Sequence, residues 1–553
     1  MNFSRIIPFL LLLTYSALGQ NPHELLQARL SEAAAIALTP TGKCGTPLMI
    51  DAMQIMREAP LHVRSGIEEA LQRPVRDTSR LGASGRFRIH YNTSDTEQPG
   101  MVGVPNSHEE YVDSVIAIFD QVWNKVIGEL GFEPPPFDNG VGGGNEYDVY
   151  ILSLPTGTFG KTFWELADNL ESGIRQRFPS YITIDINYAG ERTPGLDGLR
   201  VTVAHEFHHA IQVGAYGIWQ NVPLFDFFFY ELTAVWMEEV VFGEINDYYF
   251  DLVNFFRFFK DLSNRSYGFT SFSIWRGYER SVWALFLEKK YGRDIVRQIW
   301  EGMKRMPALE SMDDVLKLHG SSLESDFAEF ASWNLFTGFR ADTVRYYNEG
   351  NMFPLLAVNA SAAFSGSTSS FQGTALPLSL QYYRFDLTGD TVVAVIANSD
   401  APRAYTAPSQ SNSFSLSLSS GTVQGATQKL NNGLTVGFMA EASGEWRTRY
   451  VGMSGNADLR LESLPSPNPL RLSKSDLLIL PLEDTPEGPV EVFFLTPSLD
   501  LAYSGTFAIT NRIGKSEVVV PTTSLEQHLS SGVHFVHLKT PQKEYLWKVL
   551  ILR

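Results

Sequence analysis

Cysteine is almost absent from this 553-residue chain, in which Cys44 is the single one. An intrachain disulfide is therefore excluded, and stability must come from core packing, which a chain of this length can provide. Basic residues are also scarce, since 44 Lys and Arg stand against 61 Asp and Glu and leave a net charge of −17. This balance argues against nucleic acid or an anionic membrane as a main partner, because both attract clustered Lys and Arg.

Long apolar runs are missing as well, because no segment reaches the roughly 18 uninterrupted apolar residues of a spanning helix. The run from Ile6 to Leu13 follows Arg5 and precedes Ala17-Leu18-Gly19. That order is typical of a secretory signal peptide, so we expect residues 1–19 to be removed and the mature protein to be exported without a transmembrane segment. Residues 20–80 are predicted to form a propeptide-like leader with helices at 24–37 and 49–72.

The rest of the chain changes character twice. Residues 81–353 carry strand patterns followed by helical patterns, which predict an α+β domain. The predicted strands are 86–91, 147–152 and 181–186, and the predicted helices are 111–130, 199–213, 229–244, 285–291 and 294–306. Beyond Pro354, Ser, Thr and Gly increase and short alternating runs predict an all-β sandwich over 354–463. A Pro-rich joint then leads to a second predicted β-sandwich over 464–553.

The strongest motif is His205-Glu206-Phe207-His208-His209, an H-E-x-x-H pattern within a predicted helix. Positions i and i+4 of a helix lie on one face, so His205 and His209 can bind the same zinc ion. Glu206 would lie beside the metal, where it can accept a proton from an activated water. The alternative is a chance match on a surface helix, against which the apolar residues before the motif argue.

A catalytic zinc ion needs a third protein ligand. The metzincin pattern would place Gly and His where this chain has Gln212 and Ala215, so that class is excluded. Glu231 lies 22 positions after His209 in an apolar helical stretch, where burying a carboxylate is costly unless it is paired or metal-bound. A solvent-facing Glu at a helix start is the alternative. Glu238 is the second candidate ligand, or else a partner that orients an imidazole ring.

These two helical stretches resemble those of the gluzincin metallopeptidases, in which H-E-x-x-H is followed by a helix with E-x-x-A. The resemblance implies a zincin-type fold in which His205, His209 and Glu231 bind zinc and Glu206 is the general base. It also implies a Tyr or His that stabilises the oxyanion, for which Tyr278 is the first candidate and Tyr267 its competitor.

The Gly-x-Met-Glu-Asn motif of the zinc aminopeptidases is absent, which favours an endopeptidase over an exopeptidase. Residues 81–310 also resemble a family of secreted bacterial metalloproteases, through stretches such as FRIHY, YDVYI and HEFHHAIQ. The expected activity is therefore zinc-dependent hydrolysis of peptide bonds in extracellular proteins or peptides.

Cys44 lies in Lys-Cys-Gly-Thr-Pro, which resembles the cysteine-switch segment Arg-Cys-Gly-x-Pro of matrix metalloprotease propeptides. The resemblance implies that the Cys44 thiolate could occupy the open zinc position and keep the enzyme latent. A buried cysteine in a structural turn is the alternative.

The end of the chain resembles a type IX secretion sorting domain. The stretches that carry this resemblance are Pro467-Asn468-Pro469, Leu529 to Phe535 and the strand Lys548 to Leu552. It implies passage through the type IX machinery and release or attachment at the outer-membrane surface, whereas a plain accessory β-sandwich is the alternative.

The sequence therefore predicts a secreted zinc metalloendopeptidase. A non-catalytic surface adhesin or glycan-binding protein that keeps a zinc site is the rival interpretation, and the intact Glu206 argues against it. Acidic and Asn residues between Asp138 and Asp148 are compatible with calcium binding but give no ligand pattern for it.

Overall fold

A computed structural model describes residues 43–44, 72–164, 176–218, 226–257, 265, 268–269, 277–364, 369–376, 378–387, 392–398, 412–420, 428–430, 434–440, 448–455, 465, 470–472, 477–482, 485–512, 515–541 and 543–553. The predicted signal peptide, the leader helices up to residue 71, Tyr267 and the Pro467–Pro469 motif lie outside these residues. Among the described helices, none has both the length and the apolar character needed to cross a bilayer.

The sheet that carries the candidate site has five strands in the order β1-β2-β3-β5-β4. They are β1 (Thr78–Leu81), β2 (Phe87–Tyr91), β3 (Tyr147–Leu152), β4 (Gly160–Trp164) and β5 (Ser180–Asp185). Strands β2, β3 and β5 run parallel, whereas β1 and β4 are antiparallel to their neighbours at the two edges. The edge strand β4 therefore offers one row of backbone groups for pairing with another segment.

Helices cover this sheet and continue beyond it. They are α1 (His108–Trp123), α2 (Gly195–Ile211), α3 (Phe227–Phe242), α4 (Tyr249–Phe256), α5 (Ser281–Tyr291), α6 (Asp294–Met303), α7 (Ala308–Leu318) and α8 (Leu323–Trp333). Helix α2 is central, because it packs against α1, α3, β4 and β5. Every residue from Val201 to Ile211 is buried, so the polar side chains of α2 must find partners inside the protein.

The strands and helices predicted for this region are confirmed, with changes at their ends. Helix α2 begins four residues earlier than predicted, after Pro194, and Asp197 in its first turn suits the helix dipole. Its end passes into a π-helical turn over Gln212–Tyr216 that stops at Gly217, whose φ is 79°. The predicted helix 111–130 likewise changes at Trp123 into a π-helical turn over Asn124–Glu129.

All-β segments follow the helices. Strands β6 (Ala360–Phe364), β7 (Ser369–Ala375), β8 (Leu380–Leu387), β9 (Val392–Asn398), β10 (Asn412–Ser420), β11 (Gln428–Leu430), β12 (Leu434–Ala440) and β13 (Thr448–Gly455) form two sheets, ordered β7-β10-β9 and β11-β12-β13-β8-β6. Tyr382 on β8 donates a hydrogen bond to the Ala331 carbonyl oxygen of α8 at 2.7 Å. The first β segment therefore packs on the helical region.

The last seven strands share one sheet, ordered β14-β20-β19-β16-β17-β18-β15. They are β14 (Leu470–Arg471), β15 (Leu477–Leu482), β16 (Gly488–Leu495), β17 (Leu501–Arg512), β18 (Lys515–Pro521), β19 (Gly532–Lys539) and β20 (Glu544–Leu552). This sheet has its own apolar core, separate from that of the helical region. At this level the predicted order of an α+β region followed by all-β segments is confirmed, while the zincin fold and the domain boundaries stay predictions.

Candidate metal centre

Helix α2 brings the two histidines of the motif together. They are one helical turn apart, and their Nε2 atoms lie 3.0 Å from each other. Both rings are buried, with exposed fractions of 1% for His205 and 0% for His209. Because water cannot reach them, the protonation of each ring is decided by its protein partners.

Those partners fix which ring nitrogen carries a proton. The Nδ1 of His205 lies 2.7 Å from Glu238 Oε1, and a carboxylate can only accept, so Nδ1 is the donor. The Nδ1 of His209 lies 2.6 Å from Gln212 Oε1. Gln212 is held in that orientation because its Nε2 donates to the Tyr230 carbonyl oxygen at 2.9 Å and to Thr233 at 3.1 Å. In the neutral rings both Nε2 lone pairs therefore face each other.

Helix α3 adds a carboxylate to this pair. Oε2 of Glu231 lies 3.3 Å from Nε2 of His205 and 3.5 Å from Nε2 of His209. Glu231 is completely buried, and neither of its carboxylate oxygens has a hydrogen bond of ordinary geometry. Burial works to raise the pKa of Glu231, but the two histidines outweigh it and lower the pKa to about 2. The carboxylate is thus held in its charged form.

Three electron-pair donors that converge in this way require a positive charge between them. Burial lowers the pKa of His205, but Glu231 and Glu238 outweigh that effect and raise the pKa to about 9. A proton on His205 can therefore supply this positive charge. A metal ion can supply the positive charge equally well, because ligand atoms about 2.0–2.1 Å from a tetrahedral ion lie about 3.3 Å apart. The observed separations of 3.0, 3.3 and 3.5 Å match that value.

Cys44 completes the cluster. Its ligand atom and those of His205, His209 and Glu231 all lie within 4.8 Å of one another, and all four residues are buried. This buried cluster of two imidazoles, one carboxylate and one thiol could hold a metal ion. The four residues come from three separate parts of the chain, which only the fold brings together.

Glu206, the residue after His205, contacts the edge strand β4. Its Oε2 accepts a hydrogen bond from the Thr162 hydroxyl at 2.7 Å, and that hydroxyl also lies 2.9 Å from the Glu206 carbonyl oxygen. The approach is close, because a Cβ at Gly160 would come 2.9 Å from Cγ of Glu206. Glu206 is therefore held in one position, beside the cluster but not part of it.

Lys43 and Cys44, two described residues of the predicted leader, lie along β4 in the manner of an additional strand. Cys44 forms a parallel bridge with Gly160, and the Phe159 amide donates to the Lys43 carbonyl oxygen at 3.0 Å. The Cys44 amide donates to the hydroxyl of Tyr278 at 3.2 Å. The ring of Tyr278 is also 5.9 Å from that of His205, measured between centroids. The structure thus brings Tyr278, the candidate oxyanion residue, to the cluster.

Glu238 has two partners. Besides His205, it accepts hydrogen bonds from the Lys43 ammonium at 2.7 and 2.6 Å. Asp247 accepts from the same ammonium at 2.6 Å and is also bound by Arg192 at 2.7 Å. Of its two predicted roles, Glu238 therefore has the position expected of a residue that orients an imidazole ring.

Four residues of this site were not recognised from the sequence as contributors to it, namely Gln212, Thr162, Lys43 and Asp247. Gln212 follows His209 by three positions on a buried helix end, which is the one local signal that could have identified it. The acidic residues considered for calcium are occupied otherwise, because Asp138 and Asp148 both pair with Arg73. No protein-family model matches the chain, and no curated protein matches it significantly.

Proposed function

We propose that the chain is a secreted zinc-dependent endopeptidase of the zincin type, in which His205, His209 and Glu231 hold the metal. The observation that carries the proposal is the convergence of two imidazole lone pairs and one buried carboxylate at 3.0–3.5 Å. Two nitrogens, one oxygen and an adjacent thiol form a donor set that suits zinc better than magnesium or calcium, which prefer all-oxygen ligands.

A zinc ion held there would supply a Lewis acid for the scissile carbonyl and would activate a water molecule. Glu206 then accepts the proton of the attacking water and passes it to the leaving amine. The Thr162 hydroxyl holds one oxygen of Glu206, which fixes the direction of that transfer. Tyr278 accepts a hydrogen bond from the Cys44 backbone amide. A substrate backbone in the place of Cys44 would therefore have the Tyr278 hydroxyl beside its scissile carbonyl, where it can stabilise the oxyanion.

Latency belongs to the same proposal. Cys44 lies among the candidate metal ligands, and as a thiolate it would take the fourth position that a substrate and water need. The short backbone pairing of Lys43 and Cys44 on β4 would at the same time cover the edge strand. Activation therefore requires displacement or removal of the leader. Export by a signal peptide and a type IX sorting domain, with release or surface attachment, completes the proposal.

The test is hydrolysis of labelled casein by the zinc-loaded full chain carrying Lys43→Ala and Cys44→Ala, with and without a zinc chelator. This double substitution removes both side chains that anchor the leader in the site. In this background Glu206→Gln should retain zinc and lower kcat/KM about 100- to 10,000-fold, because it removes the proton acceptor. Glu110→Gln is the matched control, since Glu110 is an exposed residue of α1. Bound zinc without cleavage of casein or of a broad peptide library would instead favour the non-catalytic surface-binding alternative.

A further inference from the structure

We propose that the acidic pocket that holds Lys43 is a substrate subsite for a lysine side chain. The subsite lies next to the position that faces the metal centre. This inference rests on the proposed function and deepens it, because it assigns a chemical preference to the residue adjacent to the cleaved bond. In the latent protein the leader fills the subsite with its own lysine.

Lys43 and Cys44 are placed as two residues of a peptide ligand would be. Their backbone adds to the edge strand β4 through the Phe159 amide and the bridge to Gly160, which is the way extended peptides bind to exposed sheet edges. Cys44 puts its sulfur among the candidate metal ligands, and Lys43 is the neighbouring residue. The pocket around the Lys43 side chain is therefore in the place of the subsite that adjoins the metal.

The pocket satisfies an ammonium group completely. The Lys43 Nζ has three hydrogen-bond donors, and three carboxylate oxygens lie at bonding distance, two from Glu238 at 2.7 and 2.6 Å and one from Asp247 at 2.6 Å. The ring of Phe159 lies 5.4 Å from the same nitrogen and contributes a cation–π contact. An uncharged side chain of the same length would remove the Lys43 donor from all three oxygens, although Oε1 of Glu238 would keep His205 and Asp247 would keep Arg192.

The charge balance of the pocket favours another cation once the leader departs. Glu238, Asp247 and Asp251 contribute three carboxylates, whereas Arg192 remains as the cation paired with Asp247 and Asp251. Glu238 is nearly completely buried, and a buried carboxylate that loses its cationic partner is strongly unfavourable, whereas Asp247 keeps Arg192.

The test is peptide binding to the full chain carrying Lys43→Ala and Cys44→Ala, which removes the lysine side chain from the subsite and both side chains that anchor the leader. Two labelled peptides have the sequence of residues 41–47 with Ala in place of Cys, and they carry either Lys or norleucine at the position of Lys43. Fluorescence anisotropy should give at least 10-fold tighter binding for the Lys peptide. Asp247→Asn should remove this preference, while Asp500→Asn should keep it, because Asp500 is an exposed residue of the loop between β16 and β17.

Equal affinity of the two peptides, or no binding of either, would overturn the subsite. The peptide comparison uses the intact pocket, so this conclusion does not depend on the folding of Asp247→Asn. Cleavage of a peptide library by the same protein separates the two proposals. A binding preference without any cleavage would refute the endopeptidase and keep the subsite, whereas cleavage without preference for Lys next to the bond would refute the subsite alone.

Discussion

At the scale of single residues, the candidate metal centre depends on groups that set the protonation of the histidines. Glu238 and Gln212 each accept from one Nδ1, at 2.7 and 2.6 Å, and thereby direct the lone pair of each Nε2 into the cluster. Gln212 is itself oriented by the Tyr230 carbonyl and by Thr233. Such partners commonly matter for metal affinity almost as much as the ligands themselves.

We therefore expect Gln212→Ala to weaken zinc binding about 10- to 100-fold, because His209 loses the acceptor that fixes its tautomer. The measurement is competition with a fluorescent zinc chelator. Gln121→Ala, on the exposed face of α1, is the matched control and should keep the affinity of the unaltered chain. An unchanged zinc affinity in Gln212→Ala would refute the role assigned to this residue.

Part of this site could be predicted from the sequence, because His205, Glu206 and His209 lie within one helical turn of each other. Glu231 was predicted from its position in an apolar helix, and the structure places it beside both imidazoles. The Lys43 contacts could not be predicted in the same way, because they join residues 195 and 204 positions apart. No local spacing of residues in the sequence predicts contacts between residues so far apart.

At the scale of secondary-structure elements, β4 is the strand that gives the site its edge, and it was not predicted. Its buried face consists of Gly160, Thr162 and Trp164, of which only Trp164 is strongly apolar, so the alternating pattern is weak. Strands β2, β3 and β5 have continuous or alternating apolar residues and were predicted nearly to their ends. The missed strand has small and polar residues because α2 and Glu206 approach it closely.

Because β4 and α2 lie so close together, we expect one methyl group added at Gly160 to lower the stability of the protein. A Cβ at Gly160 would lie 2.7 Å from Cγ2 of Thr202 and 2.9 Å from Cγ of Glu206, so β4 and α2 would have to separate. We expect Gly160→Ala to destabilise the protein by about 1–3 kcal/mol. The measurement is the urea midpoint followed by tryptophan fluorescence, to which Trp164 of the same strand contributes.

Gly190→Ala is the control for that substitution, because a Cβ there meets only Thr156, at 3.9 Å. Its urea midpoint should stay close to that of the unaltered chain. If Gly160→Ala had the same midpoint as Gly190→Ala, β4 would not be held against α2 as the structure has it.

At the scale of the whole molecule, the candidate site is assembled from residues near the start of the chain, from α2 and α3, and from the turn before α5. The four cluster residues become neighbours only after the sheet and the helices have packed. The first β segment shares its core with the helical region through residues such as Leu380 and Tyr382, whereas the last sheet has a separate core. The composition change at Pro354 indicated the start of β structure but not this shared packing.

We propose that His205, His209 and Glu231 hold zinc and that Cys44 occupies its fourth position. X-ray absorption at the zinc edge of the zinc-loaded full chain tests this coordination. We expect one zinc ion per chain with nitrogen or oxygen neighbours at about 2.0–2.1 Å and one sulfur at about 2.3 Å, the sulfur being lost in Cys44→Ala. Failure to bind one zinc ion, or a spectrum without sulfur in the unaltered chain, would contradict it.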